Sequence, residues 1–215
     1  MPRPVIACSV LIALLSVSSL ALAAGPGFAF GVHANVTSSN FPGPTVDSTN
    51  QQISSAYGAG WGGGVHVDAN LAVLSFRLTG DYIHYAIDEN KFRDAFRPLF
   101  GSAADQMSIS GGGLSIFTVA VNGKMPVLPL PVVTPYITGG IGVAWVTRDE
   151  ATTSLTGYPG RTFPSTSQGG KTSLDVGAGV DIHLGLTLFL EVKYAWILTE
   201  ATTSTYVPVS IGVTF

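Results

Sequence analysis

Apolar and polar side chains alternate with a period of two along the C-terminal part of this chain. Across positions 174–184 every even position is apolar, and every odd position is Asp, Gly or His. The same pattern recurs over 186–196, and over 207–215 the odd positions are the apolar ones. An apolar face opposite a small or polar face over about ten residues is typical of strands in a transmembrane β-barrel.

No segment after the first 24 residues is suited to a membrane-spanning helix, which needs about 18–20 consecutive apolar residues. The longest apolar candidate, 127–133, is interrupted by Pro129 and Pro131. The chain nevertheless has only 11% charged residues, against roughly 25% in a typical soluble domain. Its mean hydropathy is +0.40. Because backbone polar groups in lipid must pair internally, a closed barrel is the membrane fold that remains.

Alternating segments and their connections predict an all-β, eight-stranded antiparallel up-and-down barrel. The predicted strands are 27–36, 57–68, 71–87, 107–122, 133–147, 171–183, 187–199 and 206–215. Long polar connections at 37–56, 88–106 and 148–170 alternate with short links, which predicts long loops at one end and both termini at the other. Within the second long loop, 91–100 is predicted to form a short amphipathic helix.

The N-terminus has the features of a secretory signal peptide. Arg3 supplies a positive charge, positions 5–22 are mostly apolar, and Ala23 and Ala24 provide small residues for cleavage. We therefore expect a signal peptide at 1–24 and a barrel domain at 25–215. The alternative is an uncleaved anchor.

Charge and ligand content exclude several other classes. Acidic residues outnumber basic ones by 13 to 10 and no basic run exists, so nucleic acid is not an expected partner. The only cysteine, Cys8, falls within the predicted signal peptide, and the four histidines are scattered without metal-ligand spacing. We therefore expect no metal and no cofactor.

Hairpin geometry predicts which residues face each other across neighbouring strands. A two-residue turn at 69–70, with Asn70 tolerating positive φ, sets the register of the second and third strands. The pairs predicted from that turn are Gly62 with Arg77, Gly60 with Thr79, and Gly58 with Asp81.

A second hairpin, with a three-residue turn centred on Gly185, follows the sixth predicted strand. The pairs predicted there are His183 with Thr187, Gly179 with Glu191, and Gly177 with Lys193. Both hairpins therefore place inward glycines opposite inward charged side chains, for which glycine provides space.

Charged residues on the inward faces predict a polar network inside the barrel. The interior of an eight-stranded barrel is just wide enough for side chains to fill it, and an unpaired buried charge costs several kcal/mol. The predicted members are Arg77, Asp81, Asp175, Asp181, Glu191 and Lys193, with His66 and His183 assisting. The alternative is that some of them lie hydrated near the rims.

Catalytic chemistry is not expected. A serine hydrolase needs a Ser beside a His that an acid orients. His84, near Tyr82, Asp81 and Asp88, has no serine at a convincing spacing. Glycines over 58–63 match a dinucleotide fingerprint in letters, but a strand rather than a helix follows them.

Three stretches carry a resemblance to a known family. The segments 135–145 and 188–196 resemble strands of the small bacterial outer-membrane β-barrel domain proteins (OmpA/OmpX-like barrels), and 206–215 resembles the C-terminal signal of outer-membrane proteins. The resemblance implies export by the signal peptide, insertion into the bacterial outer membrane, and outer-membrane lipid as surroundings. It also implies recognition by the barrel-assembly machinery through the residues Val209, Ile211, Val213 and Phe215. The family implies no single activity.

Two function classes are therefore expected, with a third less favoured. The first is a non-enzymatic structural or surface-interaction role carried by the long loops, since loops on a rigid scaffold often hold recognition residues. Its partner is not specified; host surfaces, other envelope proteins and lipopolysaccharide are all compatible. The alternative is a narrow channel for small or apolar solutes. The inward glycines at 58, 60, 62, 64, 177, 179 and 212 would favour it. The third class is a lipid A-modifying enzyme.

Overall fold

A computed structural model describes residues 27–40, 56–71, 74–128, 130–155, 158–198 and 203–215. The predicted signal peptide at 1–24 lies outside the described residues. Within the described ranges, no helix is long and apolar enough to cross a membrane.

Eleven strands are described. In chain order they are β1 (Phe28–Asn40), β2 (Tyr57–Leu71), β3 (Leu74–Ile87), β4 (Met107–Gly111), β5 (Leu114–Pro126), β6 (Val133–Arg148), β7 (Ala151–Leu155), β8 (Tyr158–Phe163), β9 (Thr166–His183), β10 (Thr187–Leu198) and β11 (Thr203–Thr214). Eight of them form one closed antiparallel barrel in the order β1-β11-β10-β9-β6-β5-β3-β2. The predicted eight-stranded up-and-down barrel is confirmed.

The barrel has two distinct ends. Both described termini and the short connections, such as 184–186, lie at one end, which we call the turn end. The connections between β3 and β5 and between β6 and β9 extend from the other, which we call the loop end. Closure is made by β1 and β11, where Phe30 and Phe215 exchange two backbone hydrogen bonds of 3.3 and 2.7 Å.

The predicted faces are also confirmed. Leu174, Val176, Leu190 and Ile211 are exposed on the outside of the barrel, and Glu191 is buried inside it. The structure therefore has an apolar outer wall and a polar interior, the reverse of a water-soluble protein. An apolar wall of this kind is stable only against hydrocarbon.

One predicted hairpin register is confirmed and the other is wrong. Gly185 adopts φ +87° in the β9–β10 turn, and Gly179 pairs with Glu191 as predicted. In the β2–β3 hairpin the strands continue past 69–70 until Leu71 pairs with Leu74. The observed pairs that replace the predicted ones are Asp68 with Arg77, His66 with Thr79, Gly64 with Asp81, and Gly62 with Ile83.

This register differs from the predicted one by six residues of β2. A shift by an even number keeps every side chain on its face, so the apolar pattern does not distinguish the two registers. The observed register is favoured because it pairs Asp68 with Arg77 inside the barrel. Burying either charge without a partner would be costly.

The fourth predicted strand, 107–122, is also corrected. It divides into β4, which lies outside the barrel, and β5, which is the barrel strand. Gly111 and Gly112, at φ +78° and +73°, make the break between them, because few side chains tolerate that backbone. The loop over 148–170 likewise contains β7 and β8, and β9 already begins at Thr166.

The described parts of the second and third long loops fold into a structure of their own, which we call the loop platform. It comprises the helix α1 (Glu89–Phe100), a 3-10 helix (Gly101–Gln106) and a three-stranded sheet in the order β4-β7-β8. The helix predicted over 91–100 is therefore confirmed. Asp88 caps it, its Oδ1 accepting backbone N–H bonds from Asn90 and Lys91 at 2.9 and 3.2 Å.

Candidate functional site

Charged pairs fill the barrel interior near the turn end. Arg77 donates from Nε and Nη2 to the two carboxylate oxygens of Asp68 at 2.6 and 2.7 Å, a bidentate pair with both residues buried. Lys124 Nζ lies 2.6 Å from Asp181 Oδ2 and 3.9 Å from the centre of the Tyr136 ring. These contacts form a layer across the lumen.

A second set of contacts lies closer to the middle of the barrel. Lys193 Nζ is 3.4 Å from Glu191 Oε1 and 3.6 Å from Asp175 Oδ1, and it donates a 3.1 Å hydrogen bond to Asn122. Tyr136 donates its hydroxyl to Glu191 at 3.0 Å. Glu191 therefore links the two layers.

Asp81 is held by histidine rather than by lysine or arginine. His33 Nε2 lies 2.5 Å from Asp81 Oδ1, and Asn35 donates to the same oxygen at 3.2 Å. His66 is also buried inside, where its Nε2 contacts Thr214 Oγ1 at 2.9 Å. His183 lies at the turn end, 3.0 Å from Thr187 Oγ1, and is exposed.

The six predicted network residues are thus brought together inside the barrel, but three of their partners are not among the predicted members. Asp68, Lys124 and His33 supply the contacts to Arg77, Asp181 and Asp81 respectively. A signal for Asp68 was present, since it occupies an inward position of β2. The wrong β2–β3 register concealed that it faces Arg77.

Inward glycines make room for these side chains. A Cβ on Gly179 would lie 2.5 Å from both Cζ and the hydroxyl oxygen of Tyr136, and one on Gly64 would lie within 3 Å of both Asp81 and His33. The physical role predicted for the glycines therefore holds, although Gly62 lies opposite Ile83 and not Arg77.

The loop end of the lumen is closed by apolar and aromatic side chains. The buried cluster there consists of Tyr57, Ile83, Tyr85, Leu114, Ile116, Ala144, Ala195, Ile197 and Tyr206. Between this cluster and the charged layers lies a cavity of about 40 Å³ that His33, Asn35 and Asp81 help to line. A larger cavity of about 310 Å³ opens at the turn end and stops at Asp68, Lys124 and Asp181. Side chains therefore separate the two mouths of the barrel.

The loop platform has a hydrophobic core of its own, and Ile87 packs against both this core and the barrel cluster. Its buried members are Ala56, Phe92, Phe96, Ala104, Met107, Ile109 and Ala151. Arg93 Nε donates to the carbonyl of Met107 at 3.0 Å, which ties α1 to β4. Tyr57 donates its hydroxyl to the carbonyl of Gly112 at 3.1 Å, which ties the barrel to the platform.

Exposed charges cover the outer side of α1. Arg97 lies 2.7 Å from Asp105 and 3.1 Å from Asp94, and the hydrogen bond to Asp105 raises the pKa of its guanidinium. Arg93 pairs with Glu89 at 3.2 Å one turn away. Such exposed pairs contribute little stability, so their role is to give the platform a polar surface.

The prediction that no serine lies near His84 is wrong. Ser115 Oγ lies 3.1 Å from His84 Nδ1 and 2.9 Å from the Tyr82 hydroxyl. Residues 84 and 115 pair directly across β3 and β5, a contact that the merged prediction for 107–122 concealed. All three side chains lie on the outer wall of the barrel.

The four residues of the predicted assembly signal lie on one face of the last strand. Val209, Ile211 and Phe215 are exposed and Val213 is half-buried, all on the outer wall. No group of three or more potential metal ligands is found among the described residues.

A closed eight-stranded barrel with an apolar outer wall and an interior filled by ion pairs defines a small transmembrane β-barrel. A sequence model of the family described as outer membrane protein beta-barrel domain matches residues 9–215, and the chain belongs to that family. It is therefore a bacterial outer-membrane protein.

The chain is also similar to solved structures. Neisserial surface protein A is 14% identical with a TM-score of 0.55, over 87% of this chain and 96% of that one. Ail from Yersinia pestis is 13% identical with a TM-score of 0.42, over 88% and 97% of the two chains. The N-terminal barrel of OprF from Pseudomonas aeruginosa is 11% identical with a TM-score of 0.42, over 87% and 97%. A search of curated protein sequences finds no significant match.

Proposed function

We propose that this protein is a non-enzymatic surface-interaction protein whose barrel anchors the loop platform in the outer membrane. The observation that carries this proposal is the hydrophobic core of the platform, in which Phe92 is fully buried. A buried core holds loops in one conformation, so a partner binds them without a large ordering cost.

The outer surface of the platform suits a polar partner. It combines the paired charges of α1 with a small sheet whose edges are β4 and β8. Sheet edges present backbone groups that an added strand can pair with. Host surfaces, other envelope proteins and lipopolysaccharide remain the classes of partner that we consider.

The alternative of a channel is disfavoured by the interior contacts. The charged layers and the apolar cluster close the lumen at different heights, and the cavity between them is only about 40 Å³. The space left by the inward glycines is occupied by Tyr136, Lys193 and Asp81 rather than by a continuous path.

Adhesion of whole cells tests the proposal. A non-adherent Gram-negative host that expresses the full chain is expected to bind an epithelial monolayer above the empty-vector level. Phe92→Ser removes a core side chain, a change that costs about 3–5 kcal/mol in well-packed cores, and should return adhesion to that level. Phe100→Ser on the same helix is the matched control, because Phe100 is 45% exposed.

Heat-modifiable migration on gels verifies that the barrel is folded in every variant. Wild-type adhesion at the empty-vector level contradicts a host surface as the partner. Equal adhesion of wild type and Phe92→Ser places any binding outside the platform.

We further propose that the chain is exported by its first 24 residues and delivered to the barrel-assembly machinery through Val209, Ile211, Val213 and Phe215. Their common outward face supports this, since all four side chains are accessible to a partner from one side of the strand.

A further inference from the structure

The barrel interior contains more acidic than basic side chains. Between the turn-end cavity and the apolar cluster, the described strands place five carboxylates, those of Asp68, Asp81, Asp175, Asp181 and Glu191. The cations that face them are Arg77, Lys124 and Lys193. This part of the lumen therefore holds two negative charges that the lysines and the arginine do not balance.

The buried histidines do not remove the whole excess. His33 contacts Asp81 and can carry at most one positive charge. His66 contacts the hydroxyl of Thr214 rather than a carboxylate. At least one negative charge is therefore left without a counter-charge, and burying a charge in that state is costly.

Two oxygen atoms beside the cavity of about 40 Å³ lack hydrogen bonds. Asn35 is only 3% exposed; its Nδ2 donates to Asp81 at 3.2 Å, and its Oδ1 has no hydrogen-bond partner. Asp175 Oδ1 has none either, and Lys193 Nζ lies 3.6 Å from it. Both residues line the cavity, and so do the hydroxyl-bearing residues Thr118 and Ser210. Buried oxygens without a partner are uncommon, so they point to a bound group.

We propose that this cavity holds one monovalent cation of the sodium class, with Asn35 Oδ1 and Asp175 Oδ1 among its ligands. Such an ion supplies the missing positive charge and gives both oxygens a partner. Water would satisfy the oxygens but would leave the charge unbalanced. A cation bound by oxygen alone needs no histidine or cysteine ligands, whose arrangement in the sequence led to the expectation of no metal.

The size and charge of the cavity favour a monovalent ion over a divalent one. Ca²⁺ takes about six to eight oxygen ligands, and Mg²⁺ requires an octahedral site in which it keeps several waters. One water needs about 10–15 Å³, so a cavity of about 40 Å³ has room for an ion and one or two waters. Asp175 supplies one negative charge beside neutral oxygens, which matches a single positive charge.

Refolding in two salts tests the proposal. The full chain is refolded in non-ionic detergent with sodium chloride or with N-methylglucamine chloride, whose cation is too large for the cavity, at equal ionic strength. After gel filtration into sodium-free buffer, elemental mass spectrometry should find about one sodium per chain in the first preparation only. In urea unfolding, the folded-to-unfolded ratio should rise about tenfold for each tenfold rise in sodium above its dissociation constant.

Asp175→Asn is the decisive variant, because it removes the negative charge at nearly the same size. It should retain no sodium and unfold at the same urea concentration in both salts. Asp94→Asn is the matched control, because Asp94 is an exposed acid of α1 and this variant should behave as wild type. Heat-modifiable migration on gels verifies that each variant folds.

A second variant covers the case in which Asp175→Asn does not fold. Asn35→Ser removes the amide oxygen and should lower both the retained sodium and the sodium dependence of unfolding. Equal unfolding of wild type in the two salts overturns the proposal and assigns the balancing charge to a proton. Sodium retained by Asp175→Asn overturns that ligand, and retained calcium or magnesium in place of sodium overturns the monovalent ion.

Discussion

Individual acidic residues inside the barrel each have a basic or histidine contact. The contacts are Asp68 with Arg77, Asp181 with Lys124, Asp175 and Glu191 with Lys193, and Asp81 with His33. Arg77, Lys124 and Lys193 thus contact four of these five acidic residues. His33 contacts the fifth, Asp81. Pairing of this kind limits the cost of burying charge, and it lets polar side chains close the lumen.

Removing Arg77 is expected to show the cost of burying a charge without a partner. Arg77→Met leaves the buried carboxylate of Asp68 unpaired and should lower the free energy of unfolding by about 3–5 kcal/mol. Adding Asp68→Asn removes the charge and should recover much of the loss. Urea unfolding in lipid vesicles, followed by tryptophan fluorescence, measures both. A loss in Arg77→Met that Asp68→Asn does not reduce would contradict the pairing.

At the scale of elements, each barrel strand separates an apolar outer face from a polar inner one, whereas α1 and β4 lie outside the barrel wall. Barrel strands such as β6 are exposed to lipid along their whole length, at Ile137 and Ile141 for example. The platform elements instead bury their apolar residues against one another, as Phe92 and Phe96 do with ring centroids 4.7 Å apart. The two kinds of element therefore differ in what covers their apolar faces.

The prediction for the strands is that the cost of an outward arginine depends on how deep its position lies in the membrane. Ile141 lies mid-way along β6 at 60% exposure, and Leu184 lies in the β9–β10 turn at 63%. Ile141→Arg should lower the free energy of unfolding in bilayers by about 2–4 kcal/mol, and Leu184→Arg by about 0–1 kcal/mol. The two positions differ in their depth in the membrane, but their side chains have nearly the same exposed fraction. Equal losses would show that Ile141 does not face the bilayer core.

The whole molecule combines a closed membrane anchor with an ordered extension at its loop end. Hydrogen bonds from Tyr57 to Gly112 and from Lys91 to the carbonyl of Tyr57 join the two parts. An interior closed by side chains supports the proposal that recognition belongs to the loops.

A closed lumen has an electrical consequence. Refolded protein in a planar bilayer should show no discrete single-channel steps, because side chains separate the cavities at the two ends of the barrel. A water-filled porin, recorded under the same conditions, is the positive control. Reproducible unitary steps from this protein would show that the interior opens.

The amino-acid sequence by itself determined the faces, the number of barrel strands, α1 and the β9–β10 hairpin. Period-two alternation decides which side chains point outward, and Gly185 marks a turn short enough to set a register. These features are local, so neighbouring residues contain enough information to predict them.

Only the tertiary structure decided the β2–β3 register, the partners of Arg77 and Asp181, the platform sheet and the Ser115–His84 contact. Sliding one strand along another by an even number of residues preserves both faces, so alternation does not select among such registers. The selection comes from contacts between residues distant in the chain, such as Lys124 with Asp181. Their energies depend on how the barrel closes, which no single segment specifies.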